Sequence, residues 1–142
     1  MTELTREQTL DALENGWGTY VRRFKQLSPA EQEEFLRKQG YARLADLLAH
    51  VLAWWTNGHR RTQEYLVNPD LPPEEYDVDD FNANAVKLFR STPEEEVIRL
   101  FEEKRAAWVA LVKSLPAEAF QNEKIRARVH IELIGHLEEH LL

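Results

Sequence analysis

Apolar residues recur every three or four positions over almost the whole sequence, which is the spacing of one face of an α-helix. The first such stretch contains Leu10, Leu13, Trp17, Val21, Phe24 and Leu27. Further stretches cover about 43–66, 94–115 and 123 to the end, and a short helix is predicted from Phe81 to about Arg90. A chain patterned in this way is expected to fold as an all-α protein.

Several short motifs predict where these helices begin and end. Residues 5–8 (TREQ) fit a capping box, in which a Thr hydroxyl and a Gln amide satisfy free backbone groups. Residues 28–31 (SPAE) and 92–95 (TPEE) predict two further caps, each with a proline at the first helical position. Gly40 is expected to end the helix that follows Ser28, and Pro116 the helix that follows Thr92.

The longest interruption of the helical pattern is the acidic, proline-rich segment at 68–80. Neither side of it is long enough to form a separate domain, so the segment is interpreted as a crossover between the second and third long helices. Four long helices with one long connection predict a four-helix bundle. The 142 residues are therefore expected to form a single domain over 1–142.

Charge and composition exclude several classes of function. The chain has 25 acidic and 18 basic residues and a net charge of −7, which argues against nucleic acid as a partner. Without cysteine it has no disulfide, no thiolate metal site and no cysteine nucleophile. No apolar run approaches the roughly 18–20 residues of a membrane span, and the first ten residues do not resemble a signal peptide. A protein of the cytoplasm with no membrane contact is expected.

Three of the five histidines are positioned to share a site. His136 and His140 are four residues apart, so a helix places both imidazoles on one face, one turn apart. His50 lies at the margin of the apolar face of the second long helix, within about 40° of Trp54. One imidazole from this helix and two from the last would form a three-nitrogen metal site with one open position, which could activate a water or a substrate.

The residues leave other interpretations of these histidines open. His136 and His140 near a helix C-terminus also suit the helix dipole, and His50 could be a hydrogen-bonded core residue. His59 follows His50 by nine residues and should point about 180° away, while His130 should lie about 120° from His136. Neither is expected to be a ligand. Glu132 or Glu139 could orient a metal-bound imidazole.

The four tryptophans and several basic residues are interpreted as structural rather than functional. Trp17, Trp54, Trp55 and Trp108 have helical spacing and are expected in the core. Arg60 and Arg61 are predicted to lie on a solvated face, unless Arg61 turns toward His50 to hold an anionic group. Lys124, Arg126 and Arg128 are likewise predicted to be solvated.

Three passages together resemble the DinB-like family of helical bundles. Residues 47–54 (LLAHVLAW) are similar to the family helix that carries a single ligand histidine. Residues 81–85 (FNANA), followed by 91–95 (STPEE) and 112–116 (VKSLP), are similar to the subgroup that includes colibactin self-resistance proteins. Residues 135–140 (GHLEEH) resemble the final helix of the family, and the likeness covers essentially the whole chain.

This resemblance implies an up-down-down-up bundle with the long crossover between its second and third long helices. It also implies a divalent metal, zinc or nickel, bound by His50, His136 and His140, and a homodimer. Members of the family include thiol-dependent transferases, an isomerase and a hydrolase, all acting on small molecules. A metal-dependent hydrolase or thiol-dependent transferase is the expected function, with no catalytic residue assigned.

Two other functions are compatible with the sequence. The chain could bind or protect a small molecule in an aromatic-lined cavity without a metal. It could also be a structural dimer without a ligand, with an apolar face buried between two copies. Whether the chain is an enzyme stays open at this point.

Overall fold

The computed structural model describes residues 5–142, and within that range all regular structure is helical, without any β-strand. The predicted domain also includes residues 1–4, which lie outside the described residues. The α-helices are α1 (Arg6–Asp11), α2 (Tyr20–Gln26), α3 (Pro29–Gln39), α4 (Leu44–Val67), α5 (Val78–Leu88), α6 (Glu94–Ser114), α7 (Glu123–Val129) and α8 (His136–Glu139). Of the helices in the described range, none has the length and apolar character needed to cross a membrane.

Two of the predicted helix starts and one predicted end are confirmed in atomic detail. The Thr5 and Ser28 side chains each accept a hydrogen bond from the amide of the third helical residue, and the side chain of that residue accepts one from the cap amide. Pro29 occupies the first position of α3, and Gly40 ends that helix in the left-handed conformation at φ 83°. A residue without Cβ adopts this conformation at little cost, which explains the glycine there.

The predicted cap at Thr92 is wrong. The carbonyl of Pro93 accepts hydrogen bonds from the amides of Glu96 (3.0 Å) and Val97 (3.1 Å), so Pro93 occupies the cap position. Proline has no side-chain acceptor, and Thr92 lies one residue too early to replace it. The Glu94 carboxylate instead accepts a hydrogen bond from the Ala45 amide (3.3 Å), which joins the beginnings of α6 and α4.

The short helix inside the crossover begins earlier than predicted, at Val78 rather than Phe81. The Asp77 side chain accepts a hydrogen bond from the Asp80 amide (3.1 Å) and caps α5. The helix packs on α4 through a stack of Phe81 on Trp54, whose ring centroids are 3.9 Å apart. The indole of Trp54 also donates to Asn82 Oδ1 (2.6 Å), so the crossover is fastened to α4.

The first and last long helices are not continuous, contrary to the prediction. A π-helical turn (Ala12–Gly16) and a 3-10 turn (Trp17–Thr19) separate α1 from α2. A second π-helical turn (His130–Gly135) separates α7 from α8, which ends at Glu139 rather than at the end of the chain. The first interruption packs against α8, because the Leu137 side chain fills the space that a Cβ on Gly16 would need.

The core is centred on α4, which packs against α5, α6 and α7. Its largest members are fully buried aromatic residues, as predicted for three of the four tryptophans: Trp17, Tyr20, Trp55, Phe101 and Trp108. Trp54 is also buried, with 7 % of its surface exposed. Burial of an aromatic side chain contributes about 1.5–3 kcal/mol, so this group accounts for a large part of the stability.

Gly58→Ala is expected to lower the free energy of unfolding by about 1 to 2 kcal/mol. A Cβ at Gly58 would lie 2.7 Å from Glu132 Cγ and 3.4 Å from Trp108, and Glu132 is too buried to move aside. Overpacking of this kind costs about 1–3 kcal/mol, offset in part by the better helix propensity of alanine. Urea unfolding measures the change.

Gly135→Ala is the matched control, since its new Cβ would meet only the His130 carbonyl at 3.6 Å, an ordinary contact. This variant should be as stable as wild type or slightly more stable. Equal stability of Gly58→Ala and wild type would contradict the packing described here.

Candidate functional site

The three histidines singled out by sequence lie together inside the protein. The His50 ring centroid is 5.2 Å from that of His136 and 4.9 Å from that of His140, and the last two are 5.9 Å apart. All three are buried, with 4 to 7 % of their surfaces exposed. His50 comes from the N-terminal half of α4, His136 begins α8 and His140 follows it, so residues distant in sequence form one cluster.

The π-helical turn before His136 is fixed by two buried tryptophans. The indole of Trp55 donates to the Glu132 carbonyl (2.8 Å), and that of Trp17 donates to the Leu133 carbonyl (2.9 Å). Seven residues after Leu133, the Tyr20 hydroxyl donates to the His140 carbonyl (2.6 Å). The core aromatics therefore hold the backbone that carries both C-terminal histidines of the cluster.

Oxygen atoms of the protein contact one ring nitrogen in each of two imidazoles. His50 Nδ1 lies 3.1 Å from the Leu47 carbonyl, and His140 Nδ1 lies 2.6 Å from Gln39 Oε1. With the proton on Nδ1, each ring donates to that oxygen and keeps a lone pair on Nε2. His140 Nε2 is fully buried and has no hydrogen-bond partner among the described residues.

His136 is held less firmly. Its Nδ1 is buried and has no hydrogen-bond partner within residues 5–142, and the Glu132 carboxylate oxygen lies 3.9 Å away. That distance exceeds a hydrogen bond. The imidazole therefore has polar neighbours but no close contact that fixes its orientation.

Burial keeps the cluster uncharged at neutral pH. Removal from water, with a smaller contribution from the neighbouring His50, lowers the pKa of His136 to about 4 and that of His140 to about 3. The pKa of His50 is also lowered, mainly by burial and in spite of its bond to the Leu47 carbonyl. Three neutral imidazoles present lone pairs rather than positive charges, which is the form that binds metal ions.

Two residues next to the cluster could not be predicted from the sequence to lie there. Gln39, at the end of α3, reaches His140, and Tyr41 stacks on His50 with ring centroids 5.4 Å apart. Burial and the negative charge of Glu139 raise the pKa of Tyr41 to about 12, so its hydroxyl stays protonated. The turn at Gly40 brings both residues over the histidines, a tertiary contact that helical periodicity cannot reveal.

Glu132 is the carboxylate closest to the cluster. Only 1 % of its surface is exposed, and burial raises its pKa to about 8 although Arg128 acts in the opposite direction. Its side chain occupies the space left by the missing Cβ of Gly58. Of the two glutamates suggested as orienting groups, the structure places Glu132 beside His136 and leaves Glu139 exposed.

The other two histidines lie outside the cluster, as predicted. His59 packs edge-on against Trp108, with ring centroids 5.4 Å apart. His130 is exposed at the start of the π-helical turn.

The prediction of a solvated face is wrong for two of the arginines. Arg61 is 5 % exposed and donates to the Tyr65 hydroxyl (3.1 Å) and to the Pro72 carbonyl rather than turning to His50. The Arg128 side chain is 19 % exposed. The crossover covers both side chains, and the sequence did not predict that it lies over α4 and α7. Arg60 is half exposed and pairs with Glu64 and Glu74, as a solvated residue would.

The three imidazoles do not have the geometry of a metal site. In the part of the chain that the structure describes, no group of three or more His, Asp or Glu side chains is arranged so that it could hold a metal ion. The three rings are therefore neighbours whose nitrogen atoms are not yet aligned on a common point.

Comparison with known proteins adds no relative. No protein-family model, no curated protein and no solved structure matches the chain. The DinB-like resemblance therefore stays a prediction.

The buried histidines should make the metal-free protein less stable in acid. Unfolded histidines titrate near pH 6.5, whereas His136 and His140 titrate at about 4 and 3 when folded. Between these values the unfolded state binds more protons, so the free energy of unfolding falls as the pH falls from 6.5 toward 4. Urea unfolding with EDTA should show that wild type loses about 4 kcal/mol more between pH 6.5 and 4.5, about 2 kcal/mol for each imidazole, than the double variant His136→Asn/His140→Asn.

Glu132 contributes the opposite trend, because its raised pKa favours the folded state as the pH falls from 8 to 4.5, but it is present in both proteins. His130→Asn, at an exposed position, should follow wild type. The same pH slope in wild type and the double variant would show that the two imidazoles are not buried in neutral form.

Proposed function

We propose that the protein is a DinB-like four-helix bundle that binds one divalent transition metal ion, zinc or nickel, through His50, His136 and His140. The observation that carries this proposal is the meeting of three buried, neutral imidazoles from α4 and the last helical segment. Packing of α4 against α6 and α7, and of α1 against α6, is compatible with a bundle of four long helical stretches.

The chemistry of the residues suits such an ion. Zinc binds neutral imidazole nitrogen at about 2.0–2.1 Å, and a tetrahedral ion would separate the ring centroids of its ligands by roughly 5 Å. The three centroids are 4.9 to 5.9 Å apart. Alignment of the nitrogens would then need ring rotation and little backbone movement. The buried Nε2 of His140, which has no partner in the described residues, is the atom that most needs a ligand.

Neighbouring residues would orient the ligands. Histidines bound to metals usually donate their other N–H to an oxygen of the protein, which fixes the tautomer. The Leu47 carbonyl would accept such a hydrogen bond from His50, and the Gln39 side-chain oxygen would accept one from His140. Glu132 is the group nearest to His136 that could do the same after a small movement.

A cavity beside the cluster provides room for a small molecule. It has a volume of about 470 Å³ and is lined mainly by apolar side chains, with Leu27, Phe35 and Leu142 among them. Gln39 connects it to the cluster, since its side chain lines the cavity and contacts His140. When bound, the metal would supply a Lewis acid with an open position. We therefore propose a hydrolase or a thiol-dependent transferase that acts on a small, largely apolar molecule.

Metal-free binding of a small molecule is the second candidate. It is favoured by the absence, within the described residues, of a group arranged to hold a metal, together with the apolar cavity. In that case the imidazoles would serve only as buried polar groups of the core.

Metal titration distinguishes the two candidates. Protein purified without a histidine tag should bind close to one equivalent of Zn²⁺ or Ni²⁺, measured by elemental analysis after dialysis and by calorimetry. His140→Asn should weaken binding at least about 100-fold, because two imidazoles hold such ions far less tightly than three. Bound metal should also raise the melting temperature of wild type.

The double variant His59→Asn/His130→Asn is the control, since both residues lie outside the cluster, and it should bind like wild type. Less than about a tenth of an equivalent of metal in wild type, with none taken up on titration, would reject the metal site and favour the second candidate.

We also propose that the protein is a homodimer of the cytoplasm. Exposed apolar side chains flank the crossover, with Val67 88 % and Leu88 74 % exposed, and they suit a contact between two copies. Sedimentation velocity at micromolar concentration should give the mass of a dimer, and a monomer would reject this part of the proposal.

A further inference from the structure

A second cavity, separate from the histidine cluster, lies between α4, the crossover and α7. It has a volume of about 340 Å³, which is in the range of small-molecule sites. Three basic side chains line it: Arg61 from α4 and Lys124 and Arg128 from α7. We call it the Arg128 cavity. None of the three clustered histidines lines it.

Two of the three cations are fastened in place by the protein. Arg61 donates to Glu64 Oε1 (2.9 Å) and to the Tyr65 hydroxyl (3.1 Å). Lys124 Nζ donates to the Leu71 carbonyl (2.7 Å), which leaves its positive charge without a carboxylate at that contact. The side chains are therefore ordered before any ligand arrives, which lowers the entropic cost of binding.

Arg61 Nε is buried without a hydrogen-bond partner in the described residues, and Arg128 also has such a nitrogen. The Nη1 of Arg128 is fully buried and has no hydrogen-bond partner among residues 5–142. The nearest carboxylate oxygen, Glu132 Oε1, is 3.6 Å away, beyond hydrogen-bond distance. The Arg128 side chain as a whole is 19 % exposed and lines the cavity, where an anion would pair with its positive charge.

The other lining groups limit what this anion can be. Glu74 and Glu123 also line the cavity, so three cations face two carboxylates. Glu74 is already paired with Arg60 (2.8 Å) and accepts a hydrogen bond from the Tyr76 hydroxyl (2.6 Å). Arg61 is also paired with Glu64 and lies 3.6 Å from Glu74, so the charges around the cavity nearly balance. Such a site suits a single negative charge better than the double charge of phosphate.

The walls of the cavity favour an apolar body on the ligand. The rings of Tyr65 and Tyr76 both line it. The guanidinium of Arg61 lies 4.8 Å from the Tyr65 ring centroid, and that of Arg128 lies 5.9 Å from the Tyr76 ring centroid. Aromatic faces beside charged groups suit a ligand with a flat apolar part and one ionised end.

We propose that the Arg128 cavity binds a small carboxylate with an aromatic or other flat apolar body. The carboxylate would accept hydrogen bonds from Arg128 and form an ion pair with Lys124. The flat apolar part of the ligand would pack against Tyr65 and Tyr76. The cavity does not depend on the metal proposed above. Glu132, which contacts both Arg128 and His136 and is almost fully buried, separates the two sites.

Benzoate is the probe for this site, and benzamide is its neutral counterpart of the same shape. In ¹H–¹⁵N spectra at low salt and neutral pH, benzoate should cause saturable shifts of the α7 and crossover amides. Benzamide and inorganic phosphate should each bind at least tenfold more weakly. Arg128→Met should weaken benzoate binding at least tenfold, whereas Arg126→Met, on the same helix but outside the cavity lining, should not.

Lys124→Met provides a second variant, should loss of Arg128 unfold the protein, and it should weaken benzoate binding in the same direction. Addition of 0.5 M salt should also weaken it, since charge contributes to the contact. The proposal is overturned by the absence of saturable shifts, by equal binding of benzoate and benzamide, or by a Lys124→Met variant that binds like wild type. Stronger binding of phosphate than of benzoate would show that the cavity prefers a different class of ligand, and it would also overturn the proposal.

Discussion

The hydrogen bonds from buried indoles to the backbone before His136 are the interaction on which the histidine cluster depends. A π-helical turn changes the register of a helix, so residues after it face a direction that continuous α-helix would not give. Trp17 and Trp55 donate to carbonyls inside this turn, and both indoles are fully buried. Both indoles lie in a largely apolar core, so breaking either bond would leave a costly unpaired group. The core thus fixes the altered register and, with it, the position of His136 and His140.

Burial then determines the chemistry of the cluster. The same packing that brings three imidazoles together removes them from water, and charged imidazolium is disfavoured there. Neutral imidazoles packed in this way have few means of satisfying their nitrogens. Gln39 contacts Nδ1 of His140, but His136 Nδ1 and His140 Nε2 have no hydrogen-bond partner in the described residues. An ion at this point would satisfy several of them at once. The cluster and the Arg128 cavity share this property, since each contains a buried polar atom without a partner in the described part of the chain.

The sequence predicts the fold class and the meeting of the histidines because both follow from helical periodicity. Capping at Thr5 and Ser28 was also predictable, since the side chains involved are only three residues apart. The two π-helical turns were not, because no local residue pattern marks them and each depends on distant packing, as between Gly16 and Leu137. The burial of Arg61 and the partial burial of Arg128 were missed for a similar reason. Charged side chains are usually solvated, and only the placement of the crossover on α4 and α7 covers them.

The central claim is that His50, His136 and His140 share one ion, and a crystal soaked in or grown with Zn²⁺ tests it most directly. An anomalous difference map recorded at the zinc edge should show one strong peak about 2.0–2.1 Å from a ring nitrogen of each of the three histidines. The metal should leave one coordination position free of protein ligands. A map without a peak between these rings, at a zinc concentration that saturates binding in solution, would contradict the account. So would a peak that is bound only by surface carboxylates or by His59 or His130.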